Sequence, residues 1–130
     1  MTILIMEKTI FVVDDSGMNL VVVKEALKDT YRVITVPSAA KMFSLMEKLK
    51  PDLILLDIYM PEMDGFEAAQ MLKDNEQYKN IPVIFLTSTI DEPTKDRGLK
   101  LGAVDFILKP FEKSELLEKI ARNLSFGDNV

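Results

Sequence analysis

The feature that most constrains this chain is an unbroken apolar run, Leu53 to Leu56, that ends directly in the carboxylate of Asp57. A run of this kind suits a strand that is covered on both faces, as the central strands of a parallel sheet are. Pro61 and Gly65 follow, so the chain must turn soon after Asp57. Open α/β sheets bind ligands at the carboxyl ends of their strands, which makes Asp57 a candidate for chemistry.

Further apolar runs of strand length alternate with segments of helical period along the chain. The other predicted strands are Thr9–Val13, Tyr31–Val36, Ile81–Leu86 and Val104–Leu108. Helices are predicted between Met18 and Lys28, from a Ser38 cap to Pro51, after Gly65, from Pro93, and from Glu112 to about Leu124. Strict alternation predicts an α/β fold, (βα)5, with a doubly wound five-stranded parallel sheet and helices on both faces. The second strand alternates most between apolar and polar residues, as an edge strand would.

Composition excludes several classes of protein. The 130 residues suffice for one domain, with a core over about 8–124 and flexible residues at 1–7 and 125–130. The chain has no cysteine and no histidine, which excludes disulfide scaffolds, thiolate or histidine catalysis, and cysteine or histidine metal sites. The net charge of −5 argues against direct nucleic-acid binding. No signal peptide or membrane-length apolar run is present, so we expect a cytoplasmic protein.

Charged and hydroxyl side chains follow the predicted strands where each strand ends. They are Asp14 and Asp15 after the first strand, Asp57 after the third, Thr87 after the fourth and Lys109 after the fifth. Three carboxylates that meet at one edge repel each other unless some are protonated or a cation lies between them. Oxygen ligands alone favour Mg²⁺, with Mn²⁺ as the other candidate. A metal, a carboxylate nucleophile and a lysine together suit phosphoryl transfer to Asp57.

Four motifs carry a resemblance to a known family. They are Val12-Val13-Asp14-Asp15, the segment from Leu55 to Gly65 (LLDIYMPEMDG), Leu86-Thr87, and the segment from Gly102 to Phe111 (GAVDFILKPF). In this order and at these separations, they resemble the receiver domain of two-component response regulators. The resemblance covers about residues 8–124. It implies the flavodoxin-like strand order 2-1-3-4-5.

The resemblance also implies roles for individual residues. Asp57 matches the phosphoacceptor, and Asp15 matches a direct Mg²⁺ ligand that Asp14 assists partly through water. The backbone carbonyl of Tyr59 matches the third protein ligand of the metal. Lys109 matches the lysine that contacts the phosphoryl group.

A second set of residues matches the family's switch and the surroundings of its pocket. Thr87 and Phe106 match the switch pair, which remodels the surface of the fourth helix, fifth strand and fifth helix. The bond from Lys109 to Pro110 is expected to be cis. In the family, residues that flank the pocket tune the rate of phosphate loss, and here they are Tyr59, Ser88 and Thr89.

The implied partners are a sensor histidine kinase or a histidine phosphotransfer protein as donor, a downstream protein or output domain, and a second copy if phosphorylation drives dimerisation. We expect a phosphoacceptor that is not an enzyme in its own right. Two alternatives remain. A phosphatase of the haloacid dehalogenase type needs an aspartate two residues after the nucleophile, where this chain has Tyr59. The other is a binding module with the receiver fold that never turns over phosphate.

Overall fold

The computed structural model describes residues 8–124, in which strands and helices alternate. The strands are β1 (Thr9–Val13), β2 (Arg32–Val36), β3 (Leu53–Asp57), β4 (Val83–Thr87) and β5 (Asp105–Leu108). The helices are α1 (Gly17–Leu27), α2 (Ala39–Met46), α3 (Gly65–Lys73), α4 (Glu92–Lys100) and α5 (Lys113–Asn123). The predicted alternation is confirmed. The expectation of flexible termini concerns segments 1–7 and 125–130, which lie outside the described residues.

The strands form one parallel sheet in the order β2-β1-β3-β4-β5, so the expected order is confirmed. Strands β1, β3 and β4 have a neighbour on each side, and all of their residues are buried. This burial on both faces explains their unbroken apolar sequences. Strand β2 lies at an edge of the sheet and mixes buried with exposed residues, as its alternating sequence predicts.

The two faces of the sheet bury separate apolar clusters because successive residues of a strand point to opposite faces. One cluster contains Phe11 and Val13 of β1 together with the buried side chains of α2 and α3. The other contains Ile10 and Val12 of β1 together with the buried side chains of α1 and α5. Helices therefore cover both faces, which is the doubly wound arrangement. Within residues 8–124, no helix is long and apolar enough to cross a membrane.

Side chains that accept bonds from first-turn amides set the start of four helices. Ser38 caps α2, as predicted. Helix α3 begins with a capping box that the sequence analysis did not identify, in which Asp64 and Glu67 each accept a bond from the other's backbone N–H. Ser16 caps α1 and Asp91 caps α4, each by accepting a bond from one backbone N–H of the first turn. These caps fix where each helix leaves the carboxyl edge of the sheet.

Several predicted elements begin too early. Strand β2 starts after Tyr31, because the N–H of Tyr31 donates to the carbonyl of Leu27 and belongs to the turn that follows α1. Ile81 likewise lies in a turn, where its N–H donates to the carbonyl of Tyr78, so β4 starts later than predicted. Glu112 precedes α5 rather than forming its first residue. Apolar character predicted the strands, whereas hydrogen bonding decides where they begin.

Candidate functional site

Three carboxylates meet at the carboxyl edge of the sheet. Asp57 is the last residue of β3 and is 3% exposed, whereas Asp14 directly follows β1 and is 0% exposed. Asp15 is exposed beside them. One oxygen from each of the three lies within 4.8 Å of the others. The structure thus brings together the acidic residues that the sequence predicted.

The amine of Lys109 joins this cluster from the end of β5. Its Nζ lies 2.9 Å from Oδ1 of Asp57 and 3.5 Å from Oδ2 of Asp14. The backbone N–H of Lys109 donates to the carbonyl of Thr87 at 2.8 Å, which fixes the loop after β5 against β4. The peptide bond between Lys109 and Pro110 is cis. Lys109 therefore bridges two buried carboxylates of different strands.

Burial and charge together shift the pKa values of this pair. Burial raises the pKa of Asp57 to about 6; the hydrogen bond from Lys109 opposes this rise, and the charges of Asp14 and Asp15 add to it. Burial alone would lower the pKa of Lys109, but Asp57 and Asp14 outweigh that effect and raise it. The lysine therefore stays charged, while the carboxylate lies in an environment that penalises its negative charge.

Asp14 is held by two further donors that the sequence analysis missed. The backbone N–H of Ser16 donates to Oδ1 of Asp14 at 2.9 Å, and Nδ2 of Asn19 donates to Oδ2 at 3.1 Å. The sequence does contain a signal for Asn19. This residue follows Asp14 by five positions, a separation that spans the cap and the first turn of α1 and so brings the two side chains together. Asn19 is thus an additional member of the site.

The donor set fits a hard divalent cation. The candidate ligands of the cluster are carboxylate oxygens, which Mg²⁺ and Mn²⁺ prefer. Lys109 supplies one positive charge against the three carboxylates, so the cluster keeps a net negative charge that a cation would neutralise. The site therefore has both the oxygen chemistry and the unbalanced charge that such an ion requires.

Thr87 and Phe106 lie on neighbouring strands beside the cluster. The hydroxyl of Thr87 donates to the carbonyl of Thr89 at 2.8 Å and accepts from the N–H of Thr89 at 3.2 Å. Phe106 pairs with Phe85 in the register of β4 and β5, and their ring centroids are 6.0 Å apart. Its side chain is buried. In this structure the ring is turned inward while the hydroxyl is bonded within its own loop.

The residues that were expected to flank the pocket are exposed. Tyr59 is 60% exposed on the loop after β3. Ser88 and Thr89 are exposed on the loop after β4. Both loops leave the carboxyl edge of the sheet, which is the edge at which the acidic cluster lies.

Comparison with known families agrees with this geometry. The family model described as the response regulator receiver domain matches residues 10–121. The chain belongs to this family. Its function is that of a phosphate-accepting signalling domain in two-component systems.

Curated relatives and solved structures show the same likeness. The chain is 36% identical to a probable cyclic di-GMP phosphodiesterase of Vibrio cholerae over 89% of this chain and 26% of that protein. It is 36% identical to the phosphate regulon transcriptional regulatory protein PhoB of Pseudomonas aeruginosa over 94% of this chain and 55% of that protein. The structure of the chemotaxis protein CheY4 of Vibrio cholerae matches with a TM-score of 0.86 and 31% identity, over 90% of this chain and 98% of that one.

The receiver domain thus spans about a quarter to a half of the length of these two curated relatives. Those relatives differ in what their names describe, one a phosphodiesterase and the other a transcriptional regulator. The likeness is confined to the receiver portion, so it supports the shared signalling domain. The activities that the names of the longer proteins describe are not assigned to this chain.

Proposed function

We propose that this receiver domain accepts a phosphoryl group on Asp57 from a phosphohistidine donor, either a sensor histidine kinase or a histidine phosphotransfer protein. The observation that carries the proposal is the position of Asp57 at the end of β3, buried, with the Lys109 amine 2.9 Å from its Oδ1. In this arrangement the buried carboxylate can act as a nucleophile, and the lysine ammonium group beside it can balance the charge of the transferred group.

In the transfer step, a carboxylate oxygen of Asp57 forms a bond to the phosphorus of the donor. The phosphorus–nitrogen bond breaks, and its electron pair returns to the histidine ring. Lys109, already bonded to the Asp57 carboxylate, is within reach of the oxygens of the incoming phosphoryl group and offsets part of their charge. Asp57 supplies the covalent chemistry and Lys109 supplies the electrostatic support.

The divalent cation of this site is proposed to be Mg²⁺ or Mn²⁺. Asp14, Asp15, Asp57 and the backbone carbonyl of Tyr59 would hold it. When bound, the ion would supply positive charge that neutralises the transferring group. The cluster of carboxylates supports this assignment because its charge exceeds what Lys109 alone can balance.

The aspartyl phosphate is proposed to shift an equilibrium between two conformations. The Thr87 hydroxyl would exchange its bond with Thr89 for one with a phosphoryl oxygen, and this bond would favour the conformation in which the Phe106 ring is turned inward, as it is in this structure. A ligand shifts such an equilibrium only through unequal affinity for the two states, and this new bond provides the difference. Thr87 and Phe106 are therefore proposed as the switch pair.

The signal is proposed to be read at the surface of α4, β5 and α5. Large apolar side chains in and around this surface are exposed, namely Ile90, Leu99, Val104 and Leu108. Apolar groups of this kind mark surfaces at which proteins bind. The reader would be a downstream protein, an output domain, or a second copy of this chain.

The test is the intact mass of the protein after incubation with acetyl phosphate, with and without Mg²⁺. We expect the mass of one phosphoryl group to be added only when Mg²⁺ is present. Asp57→Asn should abolish the addition, whereas Asp96→Asn, which changes an exposed carboxylate on α4, should not. In the wild-type protein, digestion and mass spectrometry should place the phosphoryl group on Asp57.

Two results would overturn the proposal. Modification of Asp57→Asn at the wild-type rate would show that another residue is the acceptor. No added mass under conditions in which Mg²⁺ binding is measured would favour a binding module that uses the receiver fold without phosphate. In that case, partner binding should be equal for the wild type and Asp57→Asn.

A further inference from the structure

We infer that Asn19 is a positioning residue that holds Asp14 in the orientation in which the acidic cluster binds its divalent cation. The inference rests on the proposed function. Nδ2 of Asn19 lies 3.1 Å from Oδ2 of Asp14, and Asp14 is fully buried. A buried carboxylate oxygen needs a donor, and the amide of Asn19 is such a donor.

Asn19 differs from the other side-chain donor to Asp14 in its charge. Lys109 also contacts Oδ2 of Asp14, at 3.5 Å, but it lies closer to Asp57, at 2.9 Å. Each bond from the Lys109 ammonium group offsets negative charge of the carboxylates. It therefore weakens the attraction of these carboxylates for a metal ion. The neutral amide of Asn19 satisfies the oxygen and leaves the charge of Asp14 available to a metal ion.

The local backbone fixes Asn19 relative to Asp14. Ser16 donates its N–H to Oδ1 of Asp14, and its hydroxyl oxygen accepts the N–H of Asn19 at 3.3 Å. The cap of α1 therefore joins Asp14, Ser16 and Asn19 in one closed set of hydrogen bonds. Both carboxylate oxygens of Asp14 are held from the same turn, so the group is oriented before any ion arrives.

The Asn19 amide would also keep its contact when Lys109 turns to a phosphoryl group. Lys109 is shared between Asp57 and Asp14, and in the proposed function it supports the charge of the transferred group. Asp14 then loses part of its bonding to Lys109. Asn19 remains as the donor to Oδ2, so Asp14 keeps one orientation throughout the transfer.

The experiment measures the dissociation constant for Mg²⁺ by isothermal titration calorimetry, and for Mn²⁺ by electron paramagnetic resonance, without any phosphate donor. We expect Asn19→Ala to raise both constants about tenfold, within the range that follows loss of a residue that orients metal ligands. Met18→Ala is the matched control, because Met18 lies in the same helical turn and is 77% exposed. It should leave both constants unchanged.

Further variants separate positioning from stability. Asn19→Leu keeps the branched shape and the number of heavy atoms of the side chain and removes the donor, so it should weaken metal binding as Asn19→Ala does. Asn19→Gln keeps an amide and should restore part of the affinity. Urea unfolding of each variant, without metal, reports the free energy of folding. A merely structural role would lower that free energy and leave the dissociation constant of the folded protein unchanged.

The outcomes distinguish this inference from the proposed function. Wild-type affinity in both Asn19→Ala and Asn19→Leu would overturn the role of Asn19 and leave phosphorylation of Asp57 intact. No Mg²⁺ or Mn²⁺ binding by the wild type would overturn both. With acetyl phosphate, the positioning role predicts that Asn19→Ala needs more Mg²⁺ for half-maximal phosphorylation but approaches the wild-type rate at saturating Mg²⁺.

Discussion

The ring of Phe106 occupies the space that a β-carbon on Gly98 would need. A β-carbon built on Gly98 would lie 2.6 Å from Cζ and 2.8 Å from Cε2 of that ring, and 3.2 Å from Cδ2 of Phe85. Helix α4 can approach the sheet this closely only because residue 98 has no side chain. The inward position of the Phe106 ring and the glycine on α4 therefore depend on each other.

Gly98→Ala should destabilise the protein, because overpacking of an interior costs about 1–3 kcal/mol. Alanine stabilises a helix interior by roughly 1 kcal/mol relative to glycine, so we expect a net loss of up to about 2 kcal/mol. In a Phe106→Ala background the ring is absent, so Gly98→Ala should become neutral or stabilising. Urea unfolding of the wild type, the two single variants and the double variant measures this double-mutant cycle. Stabilisation by Gly98→Ala in the wild type would contradict the contact.

Gly65→Ala should be costly because Gly65 lies against the backbone at the end of β3. A β-carbon there would overlap the carbonyl oxygen of Asp57 and would lie 2.8 Å from Cα of Ile58. Backbone atoms cannot turn aside as a side chain can, so we expect a loss of about 3 kcal/mol, at the upper end for overpacking. The measurement is the free energy of unfolding in urea.

Gly17 offers a matched control for that substitution. Gly17 begins α1 as Gly65 begins α3, but a β-carbon on Gly17 would meet nothing within 4 Å. Gly17→Ala should therefore leave stability unchanged or raise it slightly. Equal effects of the two substitutions would show that the close approach of Gly65 to Asp57 is absent.

Asp105 should stabilise the fold in a pH-dependent way. Burial would raise its pKa, but the hydrogen bonds from Arg122 and the Phe106 N–H, with the charge of Lys119, outweigh burial and hold the pKa below its ordinary value. A lowered pKa contributes stability that is present above the ordinary value of about 3.9 and is lost as the pH falls through the lowered value. Acid should therefore remove this contribution.

Asp105→Asn should cost about 1 kcal/mol at pH 7, the usual net value of a partly exposed charge-assisted contact. The difference from the wild type should shrink as the pH falls below about 4. Urea unfolding across this pH range is the measurement. Asp96→Asn, which changes an exposed carboxylate on α4, should give a small difference at neutral pH. A difference for Asp105→Asn that does not change with pH would contradict the ion pair.

Tyr59 should slow the loss of phosphate from Asp57. Its ring is exposed on the loop that follows Asp57, where it can screen the phosphoryl group from attacking water. Tyr59→Ala should raise the rate on the order of tenfold, which corresponds to about 1.4 kcal/mol in the barrier. Tyr59→Phe keeps the ring and should keep the slow rate. An unchanged rate in Tyr59→Ala, followed by intact mass after removal of the donor, would refute the screening role.

Much of this site followed from the sequence because it depends on where strands end. An apolar run predicts a buried strand, and parallel strands share one carboxyl edge, so Asp14, Asp57 and Lys109 could be assigned to one place without coordinates. The family resemblance extended this to strand order, which the structure confirms. Local period and chain order were sufficient for these features.

The bond from Asn19 to Asp14 is local, because the cap of α1 sets the positions of both residues. Other features were decided only by packing between separate elements, as where Gly98 of α4 lies against the ring of Phe106 of β5. The physical reason is that apolar periodicity fixes which face of an element is buried, whereas the contact between two side chains depends on how closely two elements approach. That distance is set by the whole tertiary structure.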